Sequence, residues 1–472
     1  MAGIDSSIQN MGDFVPLDRL RRQPRPDGSQ IASVREHLRG LAAQLSPEEQ
    51  RALSFVLETL DTRDSPLMEL AALPPEAVMK SGEVEIYHRL LERPTSTETG
   101  LPPKLALIMK GTRLCNLRCT YCRSWAEGPD EVMPFDVLAR SIQSACTAPG
   151  VGLVQFIWHG GETTLRPLSF YRKALWLQER FRRRGMTIGN QLQTNGTHLP
   201  PEWLDFLKLY GFAVGVSLDG PPEVHDLRRV DIKGRPTSER VREGIRSLQA
   251  HGIEFEVKMV VDDEVVALGA RRVLDYLLEI GVRQVALLNV VPEGDPERKL
   301  PGDHLGFPRF VDFLREIFHL WWPRHREQIE FRELSDLMIR LQGGPGSFCV
   351  FGENCMGGVL TIEPKGEIAA CDRYQGDPSF LFGNILHTDL SSVPRAANMV
   401  RAHQETDAEM DRASQCRWFA ICHGGCPHDR YVRVHRNVSQ DERCCGWSPL
   451  LADMVKVLQP GSFSSTSPKQ DV

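Results

Sequence analysis

The stretch Lys110-Gly-Thr-Arg-Leu-Cys-Asn-Leu-Arg-Cys-Thr-Tyr-Cys122 follows a short apolar run and decides how the rest of the chain is interpreted. Its cysteines, Cys115, Cys119 and Cys122, form a CxxxCxxC pattern. Three thiolates at this spacing can bind one [4Fe–4S] cluster through three of its irons and leave the fourth iron free for chemistry. A structural zinc site, which is the alternative, usually has four protein ligands in paired CxxC units. The pattern therefore favours a reactive iron–sulfur cluster.

Short apolar runs alternate with longer amphipathic stretches after residue 104. The apolar runs, which we predict to be strands, are Leu105–Met109, Val151–Trp158, Ile188–Gln193, Phe212–Ser217, Phe255–Val261 and Val285–Val291. Helical patterns lie near residues 135–147, 168–184, 201–210, 237–251, 266–280 and 307–322. This alternation predicts an α/β fold with a parallel sheet and right-handed crossovers, either an open sheet or a partial (β/α)6 barrel. In both arrangements we expect the chemistry at the carboxyl ends of the strands.

The 472 residues divide by composition into four predicted regions. These are a helical, partly disordered extension at 1–100, the α/β core at 101–330, a cysteine- and glycine-rich domain at 331–458, and a disordered tail at 459–472. Helical spacing of leucines between Ser33 and Leu60 supports the first assignment, and the extension either braces the barrel or holds a leader peptide. The cysteine-rich domain has too little apolar surface to fold alone, so we expect it to need metal.

Composition argues against several classes of protein. Lys and Arg number 56 and Asp and Glu number 62, so the formal net charge of −6 gives no overall attraction to nucleic acid. No apolar run reaches the ~18 residues of a membrane span, and the first residues lack the features of a signal peptide. We therefore expect a cytoplasmic protein that binds neither membrane nor nucleic acid. In a reducing cytoplasm, 12 cysteines indicate metal or redox chemistry rather than disulfides.

The CxxxCxxC pattern after the first strand resembles the radical S-adenosylmethionine (SAM) enzymes, which have a partial (β/α)6 barrel. The resemblance implies that Cys115, Cys119 and Cys122 bind a [4Fe–4S] cluster whose open iron holds the amino and carboxylate groups of SAM. It also implies that an electron cleaves SAM to methionine and a 5′-deoxyadenosyl radical, which takes a hydrogen atom from the substrate. A reductant such as flavodoxin or ferredoxin would supply the electron.

Residues near the cysteines and at later strand ends match the SAM-binding positions of this family. Glycines allow close backbone approach to a ligand, and Glu162 after Gly160-Gly161 can accept a hydrogen bond from the methionine ammonium. The resemblance further implies that Ser217 contacts the SAM ribose and that the backbone of Tyr121 contacts the adenine. The cofactor-binding residues predicted in this way are Tyr121, Gly160, Gly161, Glu162, Asn195 and Ser217.

A second group of cysteines resembles the SPASM domain of radical SAM enzymes that modify peptides. Its spacing is Cys349-x5-Cys355-x15-Cys371, followed by Cys416-x5-Cys422-x3-Cys426-x17-Cys444. The resemblance implies two auxiliary [4Fe–4S] clusters, cluster I on Cys349, Cys355, Cys371 and Cys426 and cluster II on Cys416, Cys422 and Cys444. Cluster II lacks one cysteine of the family pattern, so a role for Cys445, an open or non-cysteine site, and loss of the cluster are open alternatives. A zinc-ribbon fold is the alternative for the whole region.

Asp372 follows Cys371 directly and is the predicted catalytic residue. In similar peptide-oxidising enzymes, an aspartate at this position takes a proton from the substrate radical. A carboxylate beside a cluster in a dry site can have a raised pKa that suits a general base, and we expect this of Asp372. The alternative is an aspartate in a surface loop.

Several stretches resemble the maturases of glycine- and serine-rich ribosomal peptides, and the likeness covers about residues 104–450. They include Arg113–Glu127, Ser217–Arg229, Arg332-Glu333-Leu334 and Cys371–Asp377. The resemblance implies a radical SAM/SPASM oxidoreductase that acts on a ribosomally synthesised precursor peptide. It would join an aromatic ring to a side-chain Cβ and so make three-residue cyclophanes.

Three other functions are alternatives. A related anaerobic sulfatase maturase would oxidise cysteine or serine to formylglycine with the same Cys371-Asp372 pair. A non-catalytic iron–sulfur electron carrier would not cleave SAM, and the open three-cysteine cluster argues against it. An enzyme acting on nucleic acid would need a basic face, and the stretch Arg430–Arg436 is too short to provide one.

Overall fold

The computed structural model describes residues 66–122, 124, 130–289, 305–352, 354–435 and 446–458, and of residues 433–435 only the backbone. The helical pattern between Ser33 and Leu60, the tail at 459–472, and the candidate ligands Cys444 and Cys445 lie outside these ranges. The structure therefore does not test what the sequence predicts for those segments.

In the described part of the chain, a ten-stranded sheet forms the centre of the fold. The strands are β1 (Lys104–Thr112), β2 (Leu153–Gly160), β3 (Thr187–Thr194), β4 (Ala213–Ser217), β5 (Phe255–Val261), β6 (Gln284–Asn289), β7 (Glu330–Phe331), β8 (Val359–Ile362), β9 (Glu367–Ala369) and β10 (Leu381–Asn384). Their order is β10-β9-β8-β1-β2-β3-β4-β5-β6-β7. Strands β1 to β7 run parallel, β8 is parallel to β1, and β9 is antiparallel to both β8 and β10. The prediction of an α/β fold with a parallel sheet is confirmed.

The described helices precede, connect and follow the strands. They are α1 (Pro66–Ala72), α2 (Pro75–Val78), α3 (Ser81–Glu92), α4 (Phe135–Thr147), α5 (Leu168–Phe181), α6 (Pro201–Leu209), α7 (Pro222–Arg228), α8 (Ser238–Ala250), α9 (Asp263–Leu268), α10 (Ala270–Glu279), α11 (Phe307–Trp321), α12 (Arg332–Leu341), α13 (Ala397–Ala413), α14 (Phe419–Cys422), α15 (Pro427–His435) and α16 (Ser448–Leu458). The pattern at 266–280 is divided between α9 and α10, because Gly269 has φ +93° and so ends a helix. Among the described helices, none combines the length and apolar character needed to cross a membrane.

Strand β2 shows that the sheet has two chemically different faces. Phe156 and Trp158 are buried, whereas the alternate residues Gln155 and His159 are partly exposed. The Trp158 ring meets the ring of Tyr171 in α5 edge to face, with centroids 5.4 Å apart, so the buried face is the helix side. Since side chains alternate along a strand, Gln155 and His159 lie on the opposite, inner face of the sheet.

The helices that precede the sheet pack on its helical layer. The indole N–H of Trp176 in α5 donates to the carbonyl oxygen of Leu73 (3.0 Å), and its ring meets Tyr87 of α3 with centroids 4.9 Å apart. Lys173 of α5 also pairs with Glu83 of α3 (2.6 Å). This part of the predicted N-terminal extension braces the barrel.

The cysteine-rich region shares the sheet of the barrel. Because β7 pairs with β6 and β8 pairs with β1, the sheet crosses the predicted boundary between residues 330 and 331. Leu360, Ile362 and Ile368 of this region are fully buried in the same apolar core as the barrel. The region therefore obtains from the barrel the apolar contacts that its own sequence does not supply.

Candidate active site

The loop that carries the first cysteines lies against the end of β2. The backbone N–H of Gly161 donates to the carbonyl oxygen of Thr112 (2.7 Å), and that of Glu162 donates to the carbonyl oxygen of Leu114 (2.7 Å). A Cβ atom at Gly160 would overlap the Thr112 carbonyl oxygen, and one at Gly161 would overlap the Leu114 carbonyl oxygen. These glycines therefore allow two strand ends to meet, and their predicted contact with SAM stays a prediction.

Cys115, Cys119 and Cys122 lie close enough to affect one another's ionisation. The pKa of Cys115 is raised to about 11 by burial, by the Glu162 carboxylate and by Cys122. The pKa of Cys119 is raised to about 12, mainly by burial and also by the other two thiols. Buried thiols of this kind ionise when a cation binds them, and iron supplies that charge. The three cysteines fit the cluster predicted for them.

Glu162 is buried and accepts four hydrogen bonds. Its Oε1 accepts from the backbone N–H and the hydroxyl of Thr164 (3.0 and 2.6 Å) and from the hydroxyl of Thr194 (2.7 Å). Its Oε2 accepts from the backbone N–H of Asn195 (2.7 Å), whose side-chain amide lies 3.9 Å from Cys115 Sγ. The structure thus brings Glu162 and Asn195 beside the first cysteine. The sequence patterns missed the two supporting threonines, although Thr194 stands next to Asn195.

Asp219, two residues after the end of β4, links Tyr121 to the barrel through hydrogen bonds. Its Oδ2 accepts from the Tyr121 hydroxyl (2.6 Å) and from Arg229 Nε (2.8 Å), and its Oδ1 accepts from the backbone N–H of Val260 (3.0 Å). Burial alone would raise the pKa of Asp219, but the Arg229 guanidinium outweighs this effect and the pKa is lowered. An ionised Asp219 therefore fixes the far end of the cysteine loop, a role that the sequence analysis did not assign. The sequence signal that could have identified Asp219 is its position two residues after the end of a strand.

The inner face of the barrel carries polar side chains around Ser217. The side-chain amide of Gln193 donates to the Ser217 hydroxyl (2.9 Å). A Cβ atom at Gly189 would overlap the Gln155 side chain, and one at Gly215 would overlap the Gln193 side chain. Closed (β/α)8 barrels usually fill their interior with branched apolar residues. Here glycines leave room for glutamines, so the predicted ribose-binding Ser217 faces a polar interior.

The four cysteines predicted for auxiliary cluster I lie together. Burial and the Cys349 thiol raise the pKa of Cys355 to about 11. Burial and the thiols of Cys349 and Cys355 raise the pKa of Cys371 to about 12. Burial, the Asp429 carboxylate and neighbouring thiols raise the pKa of Cys426. The four thiols therefore lie within electrostatic reach of one another, and their role as the ligands of one cluster stays a prediction. Among the described residues, no three His, Cys, Asp or Glu side chains form a site for a single metal ion.

Two of the cysteines predicted for auxiliary cluster II flank the short helix α14. Cys416 precedes the helix and is partly exposed, and Cys422 ends it and is fully buried. The other candidates, Cys444 and Cys445, lie outside the described residues. Cluster II and its fourth ligand therefore stay predictions.

Asp372 meets Lys110 and His159 at the ends of β1 and β2. It is ion-paired with Lys110, and its carboxylate lies 3.7 Å from Nδ1 of His159. Lys110 is 1% exposed and also donates to Oε1 of Gln375 (2.9 Å). Burial alone would raise the pKa of Asp372, but Lys110 and His159 outweigh burial and the pKa is lowered. The expected raised pKa is wrong in direction, because β1 contributes a buried lysine that the sequence patterns did not connect to Asp372.

The chain is similar to several known proteins. The family model described as the radical SAM superfamily matches residues 109–265. The chain is 30% identical over 375 residues to the serine-type anaerobic sulfatase-maturating enzyme of Klebsiella aerogenes, a match that covers 78% of this chain and 90% of that enzyme. It is 27% identical over 334 residues to the cysteine-type anaerobic sulfatase-maturating enzyme of Clostridium perfringens, covering 69% of this chain and 89% of that enzyme.

The fold is similar to the solved structure of native anSMEcpe with bound AdoMet, which is SAM, and the Cp18Cys peptide. The TM-score is 0.66 at 25% identity, over 76% of this chain and 100% of that one. Radical SAM enzymes bind a [4Fe–4S] cluster and SAM, and sulfatase maturases carry auxiliary clusters, so the predicted cofactors are confirmed. The chain belongs to the radical SAM superfamily, in the group of the anaerobic sulfatase-maturating enzymes.

Proposed function

We propose that this chain oxidises a cysteine or serine side chain in a peptide or protein segment to formylglycine. The relatives support the proposal, because serine-type and cysteine-type sulfatase-maturating enzymes match the chain along most of its length. They favour this reaction over the aromatic crosslink that the sequence motifs suggested first. The observation that carries the proposal is the position of Asp372, which follows Cys371 and pairs with Lys110 at the carboxyl end of β1.

Two groups of cysteines would hold the cofactors. The proposed ligands are Cys115, Cys119 and Cys122 for the SAM-binding cluster and Cys349, Cys355, Cys371 and Cys426 for auxiliary cluster I. When bound, these clusters and SAM supply the radical that removes a hydrogen atom from the substrate Cβ, and they accept the electron that the substrate radical gives up. The reductant, for which we expect flavodoxin or ferredoxin, and the cytoplasmic location stay predictions.

Asp372 is the residue that we assign to proton transfer. Once a hydrogen atom and an electron have left the substrate Cβ, the hydroxyl or thiol proton must leave as the carbon–oxygen or carbon–sulfur double bond forms. The lowered pKa of Asp372 keeps its carboxylate ionised and able to accept this proton, and Lys110 holds the carboxylate in place. Serine then gives the aldehyde directly. Cysteine gives a thioaldehyde, which water converts to the aldehyde with release of hydrogen sulfide.

Anaerobic reconstitution with iron, sulfide, SAM and dithionite tests the proposal. The probes are synthetic peptides that carry the cysteine or serine target of a sulfatase. We expect the serine peptide to lose two hydrogen atoms and the cysteine peptide to exchange sulfur and two hydrogen atoms for one oxygen. Both products should react with a hydrazide, which detects the aldehyde.

Two outcomes would count against formylglycine formation. The first is an unmodified peptide in reactions that release 5′-deoxyadenosine. The second is a glycine- and serine-rich peptide with an aromatic residue that loses two hydrogen atoms without reacting with hydrazide, because that result would indicate the crosslink.

A further inference from the structure

The segment that follows α7 pairs with the loop that carries the first cysteines. The backbone N–H of Arg118 donates to the carbonyl oxygen of Val230 (2.7 Å), and that of Thr120 donates to the carbonyl oxygen of Arg228 (3.0 Å). Thr120 follows Cys119, one of the ligands proposed for the SAM-binding cluster. The chain just after α7 is therefore hydrogen-bonded to the loop that would hold this cluster.

The turn that continues this segment is open to solvent. Residues 232–236 are all exposed, and Ile232 exposes 60% of its surface. Leu227, at the other end of the paired segment, is also 60% exposed, and no large apolar residue among those that the structure describes is more exposed. Five residues separate the two, so their Cα atoms are at most ~17 Å apart and fit within one protein interface. Two such side chains beside one loop indicate a contact surface.

The same part of the chain is basic, although the whole chain has a net charge of −6. Residues 227–242 contain six Lys or Arg and two Asp or Glu. Arg228 and Arg229 pair with buried carboxylates of the barrel, which leaves four basic side chains against two acidic ones. Two of the four, Lys233 and Arg235, lie on the exposed turn. The apolar side chains therefore have positively charged neighbours.

The acidic residues of α7 are engaged elsewhere. Glu223 pairs with Arg272 (2.8 Å). Asp226 is partly buried and accepts from the backbone N–H and the hydroxyl of Ser238 at the start of α8 (2.8 and 2.6 Å), where the helix dipole favours a negative charge. Neither carboxylate is on the exposed turn.

The chemistry of the SAM-binding cluster requires an electron from outside the protein. Because the rate of electron transfer falls steeply with distance, the donor has to dock close to the cysteine loop. Flavodoxin is an acidic protein whose flavin presents an apolar edge with carboxylates around it. Exposed apolar side chains with basic neighbours are complementary to such a protein in both polarity and charge.

We propose that Leu227, Ile232, Lys233 and Arg235, here called the Ile232 surface, form the docking site of a flavodoxin that reduces the SAM-binding cluster. The inference rests on the proposed function only in assigning this cluster to the first cysteines. It is independent of which product the substrate radical gives.

Binding of flavodoxin tests the inference without turnover. Fluorescently labelled flavodoxin is titrated with the reconstituted full-length enzyme under anaerobic conditions, and anisotropy gives the Kd. We expect Ile232→Glu and Leu227→Glu each to raise the Kd about tenfold, because each places a carboxylate in an apolar contact with an acidic partner. Ile232→Lys should raise the Kd less, since it loses the apolar contact but adds an attractive charge.

Leu209→Glu is the matched control. Leu209 is 54% exposed at the end of α6, which leads into the amino end of β4, whereas the cysteine loop follows the carboxyl end of β1. This variant should leave the Kd unchanged. Higher ionic strength should weaken binding to the unchanged protein, and it should do so to a smaller extent in Lys233→Gln.

The release of 5′-deoxyadenosine shows whether the variants are intact. With limiting flavodoxin, flavodoxin reductase and NADPH, the rate should fall in Ile232→Glu and Leu227→Glu by about the same factor as the affinity. With dithionite, which needs no docking site, both variants should cleave SAM as fast as the unchanged protein. The split between the two reductants separates loss of docking from damage to the cysteine loop.

Absence of flavodoxin binding to the unchanged protein, or the same Kd in Ile232→Glu and Leu209→Glu, would overturn the inference. Slower cleavage with dithionite in both glutamate variants would show that the Ile232 surface packs against the chain itself. Dissociation of a dimer in Ile232→Glu, measured by sedimentation, would assign the surface to a second copy. Tighter binding of ferredoxin than of flavodoxin would overturn the choice of partner.

The proposed function fails separately from this inference. Flavodoxin-dependent SAM cleavage that responds to the variants, with no aldehyde in the peptide, would overturn formylglycine formation alone. Aldehyde formation with an unchanged Kd in every variant would overturn the docking site alone.

Discussion

Lys110 and Asp372 form an ion pair, although Lys110 lies in the first strand of the barrel and Asp372 in the cysteine-rich region. Lys110 Nζ also donates to Gln375 (2.9 Å) and lies 4.0 Å from Glu363, so three groups of the cysteine-rich region surround it. The strand that carries this lysine leads directly into the first cysteine loop. One buried side chain thus sets the position of Asp372 relative to both groups of cysteines.

The variant Lys110→Met removes this ion pair and keeps an unbranched side chain. We expect about 10- to 100-fold less aldehyde for each SAM cleaved, because the Asp372 carboxylate loses the group that positions it for proton transfer. SAM cleavage itself should continue. The ratio of 5′-deoxyadenosine to aldehyde measures this uncoupling, and Asp372→Asn should show it too.

Lys173→Met is the control for the lysine variant. Lys173 pairs with Glu83 between α5 and α3, on the helical layer outside the barrel (2.6 Å), so the ratio should stay at the value of the unchanged protein. A normal ratio in Lys110→Met would show that Asp372 does not depend on the lysine.

The barrel elements could be predicted because their residues repeat with the period of the structure. In β2, for instance, Phe156 and Trp158 face the helices while Gln155 and His159 face inward. The grouping of the first three cysteines is likewise local, since eight residues contain them all. Local patterns of this kind are sufficient to predict most elements of the barrel.

The contacts of Asp372 could not be predicted in the same way. They depend on β8 pairing with β1, and β8 has only four residues and no recognisable periodicity. Without that pairing, nothing in the sequence connects Asp372 to Lys110. The direction of the pKa shift of Asp372 follows from this long-range contact, because burial without the lysine would have raised the pKa.

The variant Gly161→Ala tests the contact between the end of β2 and the first cysteine loop. The added Cβ would overlap the Leu114 carbonyl oxygen, so the loop must move. We expect the loss of about four irons per chain and of SAM cleavage, with the iron of the auxiliary cluster retained. Iron and sulfide contents after anaerobic purification measure this.

Gly82→Ala is the matched control for that glycine variant. Gly82 lies in α3 with open space around its Cα, so alanine should leave the iron content unchanged and stabilise the helix by up to about 1 kcal/mol. Full iron content in Gly161→Ala would contradict the importance of the contact between the strand end and the loop.

The variant Cys426→Ser tests auxiliary cluster I. Because Cys426 lies near Cys349 and Cys355, we expect the loss of about four irons per chain while SAM cleavage by the first cluster continues. Cys146→Ser is the control, since Cys146 is buried in α4 away from both cysteine groups in the sequence and should leave the iron content unchanged. Equal iron contents in the two variants would remove Cys426 from the ligand set.

The variant Asp219→Asn tests the support of the cysteine loop. It leaves Arg229 buried without its partner, and loss of one member of a buried ion pair typically costs ~3–5 kcal/mol of unfolding free energy. Denaturant unfolding measures this cost. Glu239→Gln, which removes an exposed pair with Arg246, should leave the midpoint nearly unchanged. Similar midpoints for the two variants would mean that the loop does not depend on Asp219.

The pKa of Glu333 gives a pH dependence of stability. Burial raises this pKa from 4.5 to about 7 in the folded protein. Between these pH values the unfolded chain releases a proton that the folded protein retains, so the stability that Glu333 contributes is complete below pH 4.5 and falls as the pH rises to about 7. Glu333→Gln cannot titrate, so the unfolding free energy of the unchanged protein minus that of the variant should fall across this range and level off above it.

Urea unfolding of both proteins between pH 5 and pH 8 measures this difference. A difference that rises with pH would mean that the nearby Arg332 guanidinium, whose Nη2 lies 3.8 Å from Glu333 Oε1, outweighs the effect of burial.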